Sequence, residues 1–241
     1  DGWTGRTLRS GVVRSLVDAL TVDEQTGRLF SVNRMTGVVS TLDARTLRTV
    51  RTIRVGRGAT ELWLAGVKRF PGPGVPLVDE RTNRVFIPDT RDGTVSILDA
   101  RSGALLRTIT VGSGPAGWNP GALAVDERTG RVLMAVKGAF VPSWPNPQAP
   151  PLFTGAGSVD VLDGTNGNVL STLPVGVAPL SVTLDTRTGR AVVVDGGGTR
   201  RLPDPWSWVP SGVRRWIPFL PPPRMRTQTV PATVSVLAMT R

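Results

Sequence analysis

Three features of this 241-residue chain predict an all-β fold, a β-propeller of four blades with four antiparallel strands each. One phrase, GTVSILDARSGALLRTITVG at 93–112, recurs as VVSTLDARTLRTVRTIRVG at 38–56 and as GSVDVLDGTNGNVLSTLPVG at 157–176. A second phrase precedes each copy: VDEQTGRLF at 22–30, VDERTNRVF at 78–86, VDERTGRVL at 125–133 and, once more, LDTRTGRAV at 184–192. Third, the segments between turn residues are short and rich in Val, Ile, Leu and Thr, and none carries a helical period. Four-stranded sheets repeated at this spacing are propeller blades.

Each second phrase is a strand end, a polar turn and the start of the next strand. The fourth residue after its Asp is Gly27, Asn83, Gly130 or Gly189. Gly and Asn tolerate the left-handed conformation, so the substitution pattern marks a hairpin turn that needs positive φ. The opening Asp (Asp23, Asp79, Asp126, Asp185) is expected to cap the turn amides, helped by the Arg that closes the phrase. The turns at Asp43, Asp99 and Asp163 read the same way, and residues 1–5 match Asp163 to Gly167 position for position. Every unit thus holds one strand ending at VD, one after TGR, one before LD and one ending at VG.

FSVN at 30–33, followed by VVSTLDARTLRTVRTIRVG, resembles the YVTN-type β-propeller repeat. That repeat usually runs as a YVTN-like strand, a V-x-V-I-D strand and an I-x-V-G strand. The corresponding segments FIPD at 86–89, LMAV at 133–136 and VVVD at 192–195 depart from that form, and Tyr is absent throughout. The resemblance covers nearly the whole chain outside the insertions. It implies a propeller in a secreted or surface-layer setting, bacterial or archaeal, and it carries over no catalytic residue.

The VD phrases place one domain over 1–241, with blade 1 at 18–56, blade 2 at 57–112, blade 3 at 113–176 and blade 4 at 177–241. Blade 4 lacks an outermost strand. TVSVL at 233–237 is the first half of the recurring phrase, and DGWTGRTLRSGVV at 1–13 is its second half. Residues 1–17 therefore read as a closing strand. Arg6, Thr7, Leu8, Val12 and Val13 would pair with Thr233, Val234, Val236 and Leu237, either in the same chain or in a neighbouring subunit.

Composition narrows the chemistry. Cys and His are both absent, which removes disulfides, thiolate or imidazole metal sites, and nucleophiles activated by His. Lys68 and Lys137 are the only lysines in a chain of net charge +11, an arginine bias that suits a heat-adapted source. No window reaches the eighteen or so apolar residues of a membrane span. A first residue of Asp rather than Met leads to the expectation of a removed signal peptide and an extracellular or cell-surface location.

Propeller topology puts the first-to-second and third-to-fourth connections on one side of the disc, where the turns here are short. All insertions belong to the other side: 57–76, 113–121, 138–156 and 196–230. They contain Trp63, Trp118, Trp144, Trp206, Trp208 and Trp216, with Phe219, Arg214 and Arg215 in the longest. Aromatics and Arg on stiff loops suit an interaction surface, while satellite packing beneath the loops is the plainer reading of any single Trp. Arginines recurring at turn positions are scattered around the disc, which argues against a nucleic-acid groove.

Asp89, Asp92, Asp160, Asp195 and Glu61 are the candidates for a metal site, but turn capping explains Asp89 and Asp195 more simply. No catalytic residue, cofactor or metal is assigned. The reading is a non-enzymatic, extracellular structural unit whose partner is another copy of itself, in an oligomer or a filament. A propeller binding cell-surface polysaccharide or protein through its aromatic loops is the alternative.

Overall fold

The computed structural model describes Thr7, Ser10 and residues 16–59, 62–64, 67–69, 72–111, 121–138, 140–141, 152–153, 155–202 and 226–238. These residues form β structure without a helix. Blade 1 is β1 (Ala19–Asp23), β2 (Arg28–Asn33), β3 (Val38–Asp43) and β4 (Thr49–Arg54), paired antiparallel in that order. A small ribbon follows, β5 (Leu62–Leu64) on β6 (Val67–Arg69). Blade 2 is β7 (Leu77–Asp79), β8 (Arg84–Asp89), β9 (Thr94–Asp99) and β10 (Leu105–Thr110).

Blade 3 opens with β11 (Leu123–Asp126) and β12 (Arg131–Val136), carries the ribbon β13 (Phe140–Val141) on β14 (Leu152–Phe153), and closes with β15 (Ser158–Asp163) and β16 (Val169–Pro174). Blade 4 has β17 (Pro179–Asp185), β18 (Arg190–Asp195) and, beyond the ribbon β19 (Gly198–Leu202) on β20 (Arg226–Val230), β21 (Thr233–Ala238). Among the described residues its sheet stops at three strands.

Three of the insertions read from sequence as loops, 57–76, 138–156 and 196–230, therefore contain paired ribbons. Backbone leaving a blade has to find hydrogen-bond partners, and the two arms of an insertion are the nearest available. The polar arms GTRRL and RTQTV show no alternation that would have announced them.

One register runs through the blades. Asp23, Asp79, Asp126 and Asp185 sit opposite Arg28, Arg84, Arg131 and Arg190. The left-handed turn residues occur where the phrase places them, with Gly27 at φ 64°, Asn83 at 53°, Gly130 at 67° and Gly189 at 66°. Both turns of one blade lie on the same side, because Ala44 N–H donates to Gly27 O, Ala100 N–H to Asn83 O and Gly164 N–H to Gly130 O.

Successive blades touch through their first strands, β1 with β7, β7 with β11 and β11 with β17. Strand alternation gives each blade a trailing face toward the next blade and a leading face toward the previous one. Three apolar cores result. Phe30, Val32 and Val39 trail into Val85, Ile87 and Leu98. Phe86, Val95 and Ile97 meet Val132, Met134 and Leu162, while Leu133, Ala135 and Val159 meet Val182, Ala191 and Val193. These cores are the main driving force for the fold, at about 1.5–3 kcal/mol for each large side chain fully buried.

Candidate functional site

The repeated acidic residues are structural. Asp79 is fully buried and its Oδ1 accepts from the amides of Arg81 and Thr82, while Oδ2 accepts from the Thr82 hydroxyl at 2.7 Å. Asp185 holds Arg187, Thr188 and the Thr188 hydroxyl in the same way. Asp23 caps Thr26, and Asp126 caps Arg128 and the Thr129 hydroxyl.

In blades 1 and 2 the Arg that closes the phrase pairs with the Asp of the LD turn and not with the opening Asp, contrary to the sequence expectation. Arg28 reaches Asp43 at 2.9 Å and Arg84 reaches Asp99 at 3.8 Å, because the register sets each pair directly across β2–β3 and β8–β9. In blade 4 the residue opposite Arg190 is Ala238, so that pair has no counterpart.

Hydrogen bonds account for the low carboxyl pKa values in these turns. The Thr46 amide, its hydroxyl and Arg28 hold Asp43 below the usual carboxylate range. Asp99 is lowered chiefly by the Ser102 amide, and Asp185 by the Thr188 hydroxyl.

Three of the four second strands end in Asn33, Asp89 and Asp195, all buried. Asn33 caps Thr36, and Asp89 Oδ1 accepts from Arg91 and Asp92. Asp195 departs from the expected turn cap. Its Oδ2 instead accepts the Thr233 and Ser235 hydroxyls from β21, at 3.1 and 2.7 Å. The insertion that follows Asp195 opens its turn, leaving the adjacent strand as the source of donors.

Gly56 packs over Asp89 and Gly176 over Asp195, so closely that a Cβ at either glycine would clash with the carboxylate. Burial pushes the Asp89 carboxyl up. Asp92 lies beside it; burial raises its carboxyl, but Arg57 outweighs that and holds it low across a 2.8 Å ion pair. Asp160 accepts from Thr172 at 2.8 Å. Among the described residues no three of His, Cys, Asp and Glu come together as a metal site.

On the insertion side, a cavity of about 360 Å³ opens where the first strands of blades 2 to 4 begin. Leu77, Pro88, Leu123 and Leu180 line it, with Thr90 and Lys137 at its polar edge. It is mainly apolar, and among the described residues that line it there is no carboxylate.

Of the sequence-assigned interaction candidates, Trp118, Trp144, Trp206, Trp208, Arg214, Arg215, Trp216 and Phe219 lie outside the described residues. Trp63 has its backbone in β5, opposite Lys68, and its side chain is likewise outside the description. Arg6, Leu8, Val12 and Val13 are outside it as well, and Thr7 is exposed.

The other half of the proposed closing pair is fully described. Thr233, Val234, Val236 and Leu237 all lie in β21, which pairs with β18 on one edge and has no described partner on the other. Val234 and Val236 are 63% and 61% exposed, whereas their register equivalents in β9, Val95 and Ile97, are 0% and 2% exposed. Leu237 points the other way and packs against the blade 3–4 core.

Two further residues, Leu20 and Val22 in β1, were missed in the sequence reading. They are exposed at 56% and 47% on the leading face of blade 1. Strand alternation in β1 does not announce them, because alternation does not say which face has a neighbour.

No family pattern and no curated protein matches the chain. Among solved structures it is similar to U3-55K, with a TM-score of 0.52 and 15% identity, over 81% of this chain and 50% of that one. It is also similar to the RRP9 WD40 repeats, with a TM-score of 0.51 and 15% identity, over 80% and 49%. The chain spans about half the length of these solved chains. At this identity the likeness establishes the fold alone, a β-propeller.

Proposed function

We propose that the chain is a non-enzymatic structural unit of a cell surface or extracellular assembly, and that it works by associating with copies of itself. The observation that carries this reading is β21. Its sequence, TVSVLA, repeats TVSILD of β9, yet the side chains that β9 buries stand exposed in β21 and its outer edge has no described partner. An open edge beside exposed valines is a template for another strand, and soluble proteins seldom leave one uncovered without a use for it.

The setting comes from the resemblance of the repeats to the YVTN type. A non-enzymatic role agrees with a chain without Cys or His, in which the repeated carboxylates are committed to turn amides, hydroxyls and arginines.

The test is particle size, by light scattering and electron microscopy, for the intact chain and for one lacking residues 1–14. The intact chain is expected to form oligomers or filaments. Loss of assembly on truncation identifies strand donation, and a strict monomer at high concentration removes the reading.

A second reading rests on the sequence, which puts six of the seven tryptophans in insertions at connections that propeller topology assigns to one side. Indole faces stack on sugars, so a surface polysaccharide is its ligand class. It predicts retention on an insoluble polysaccharide that disappears when Trp206, Trp208 and Trp216 become Ala.

A further inference from the structure

We infer that the trailing face of blade 4 docks on the leading face of blade 1 in a second copy of the chain, repeating between molecules the packing that joins blades within one. This deepens the self-association reading, rests on it, and names the surfaces that carry it. Four blades joined in sequence make three inter-blade cores, and two faces are left over among the described residues.

On one leftover face stand Val234 and Val236, the counterparts of Val95 and Ile97. Opposite in kind are Leu20 and Val22, whose counterparts Leu123 and Val125 pack against the core that contains Val95 and Ile97. All four leftover side chains are exposed. The surface that fits each is already displayed by the chain itself, so continuity with the internal interfaces identifies the occupant as another copy.

Leu47 marks where the junction differs. Its turn position is Gly103 in blade 2 and Gly167 in blade 3, where a Cβ would collide with Thr41 or Ile97 of the preceding blade. In blade 1 the position holds a leucine at φ 59°, a conformation costly for any side chain. No blade before blade 1 stands among the described residues to exclude it there. An incoming Val236, one carbon smaller than Ile97, would meet Leu47, so the junction between copies is wider than the internal ones and filled by that side chain.

Docking of a trailing face on a leading face is head-to-tail: it makes a ring where the rotation closes and a filament where it does not.

The test uses two variants of the full chain, Val234→Asp with Val236→Asp, and Leu20→Asp with Val22→Asp, each checked by circular dichroism and thermal melting. If an aspartate pair impairs folding, serine and threonine at the same positions replace it. Sedimentation velocity is run at concentrations where the parent assembles. Each variant alone is expected to remain monomeric, with self-affinity at least tenfold weaker than the parent. An equimolar mixture is expected to give a one-to-one dimer, since each variant brings the intact face the other lacks.

Assembly of either folded variant like the parent overturns the inference but leaves the self-association reading standing through another surface. A mixture that stays monomeric also overturns it. A parent that is itself monomeric removes both.

Discussion

β9 in blade 2 and β21 in blade 4 are nearly the same strand in different surroundings. TVSILD and TVSVLA place Val95 and Val234, and Ile97 and Val236, at matching positions opposite their second strands. Blade 3 covers the first pair, while the second faces outward. Burial here belongs to the neighbour and not to the strand, so a repeat sequence has a known core only where the next repeat is known.

The largest expected difference comes from truncating that pair. Ile97→Ala should cost about 3 kcal/mol of stability in urea unfolding, through lost burial and a cavity in the blade 2–3 core. Val236→Ala, measured where the chain is dilute and unassembled, should stay within about 0.5 kcal/mol. A cost near 3 kcal/mol at Val236 would mean that its face is covered within the chain.

Close approach between blades gives the next contrast. Gly167→Ala places a Cβ 2.5 Å from Ile97 Cδ1 at φ 75°, and should cost about 3 kcal/mol from overpacking and backbone strain together. Gly27→Ala has the same sign of φ but open space around the new Cβ, so about 1 kcal/mol is expected from the backbone alone. Thermal melts of the two variants separate crowding from conformation.

The fold was legible because turn chemistry repeats. Asp followed four residues later by Gly or Asn has one economical explanation, and the register then follows from the strand period. The partner of the closing Arg was not legible, since it depends on which residue lies across the second and third strands. Asp195 was misread for a related reason: an insertion moved its donors from the turn to the adjacent strand. The exposed faces could be read only once the three inter-blade cores had assigned trailing and leading positions, because alternation alone does not say which face has a neighbour.

Smaller effects concern charge. Asp43, Asp99 and Asp185 have carboxyls held below the usual range in the folded state. Their stabilisation is present above the unfolded carboxylate range and is lost as pH falls through the lower folded values. Asp89 has the opposite sign, because burial raises its carboxyl and makes ionisation costly in the fold. Blade 1 already uses Asn33 at that position. Asp89→Asn should therefore stabilise the chain at pH 7 by less than about 1 kcal/mol, with the gain shrinking toward pH 4 as the parent carboxyl protonates. Denaturant midpoints at the two pH values check the sign.

Sedimentation velocity of the unaltered chain, from dilute to concentrated, addresses self-association most directly. The exposed valines of β21, whose outer edge has no partner among the described residues, predict a weight-average mass that climbs above 25.6 kDa as concentration rises. A single 25.6 kDa species at every concentration would contradict it.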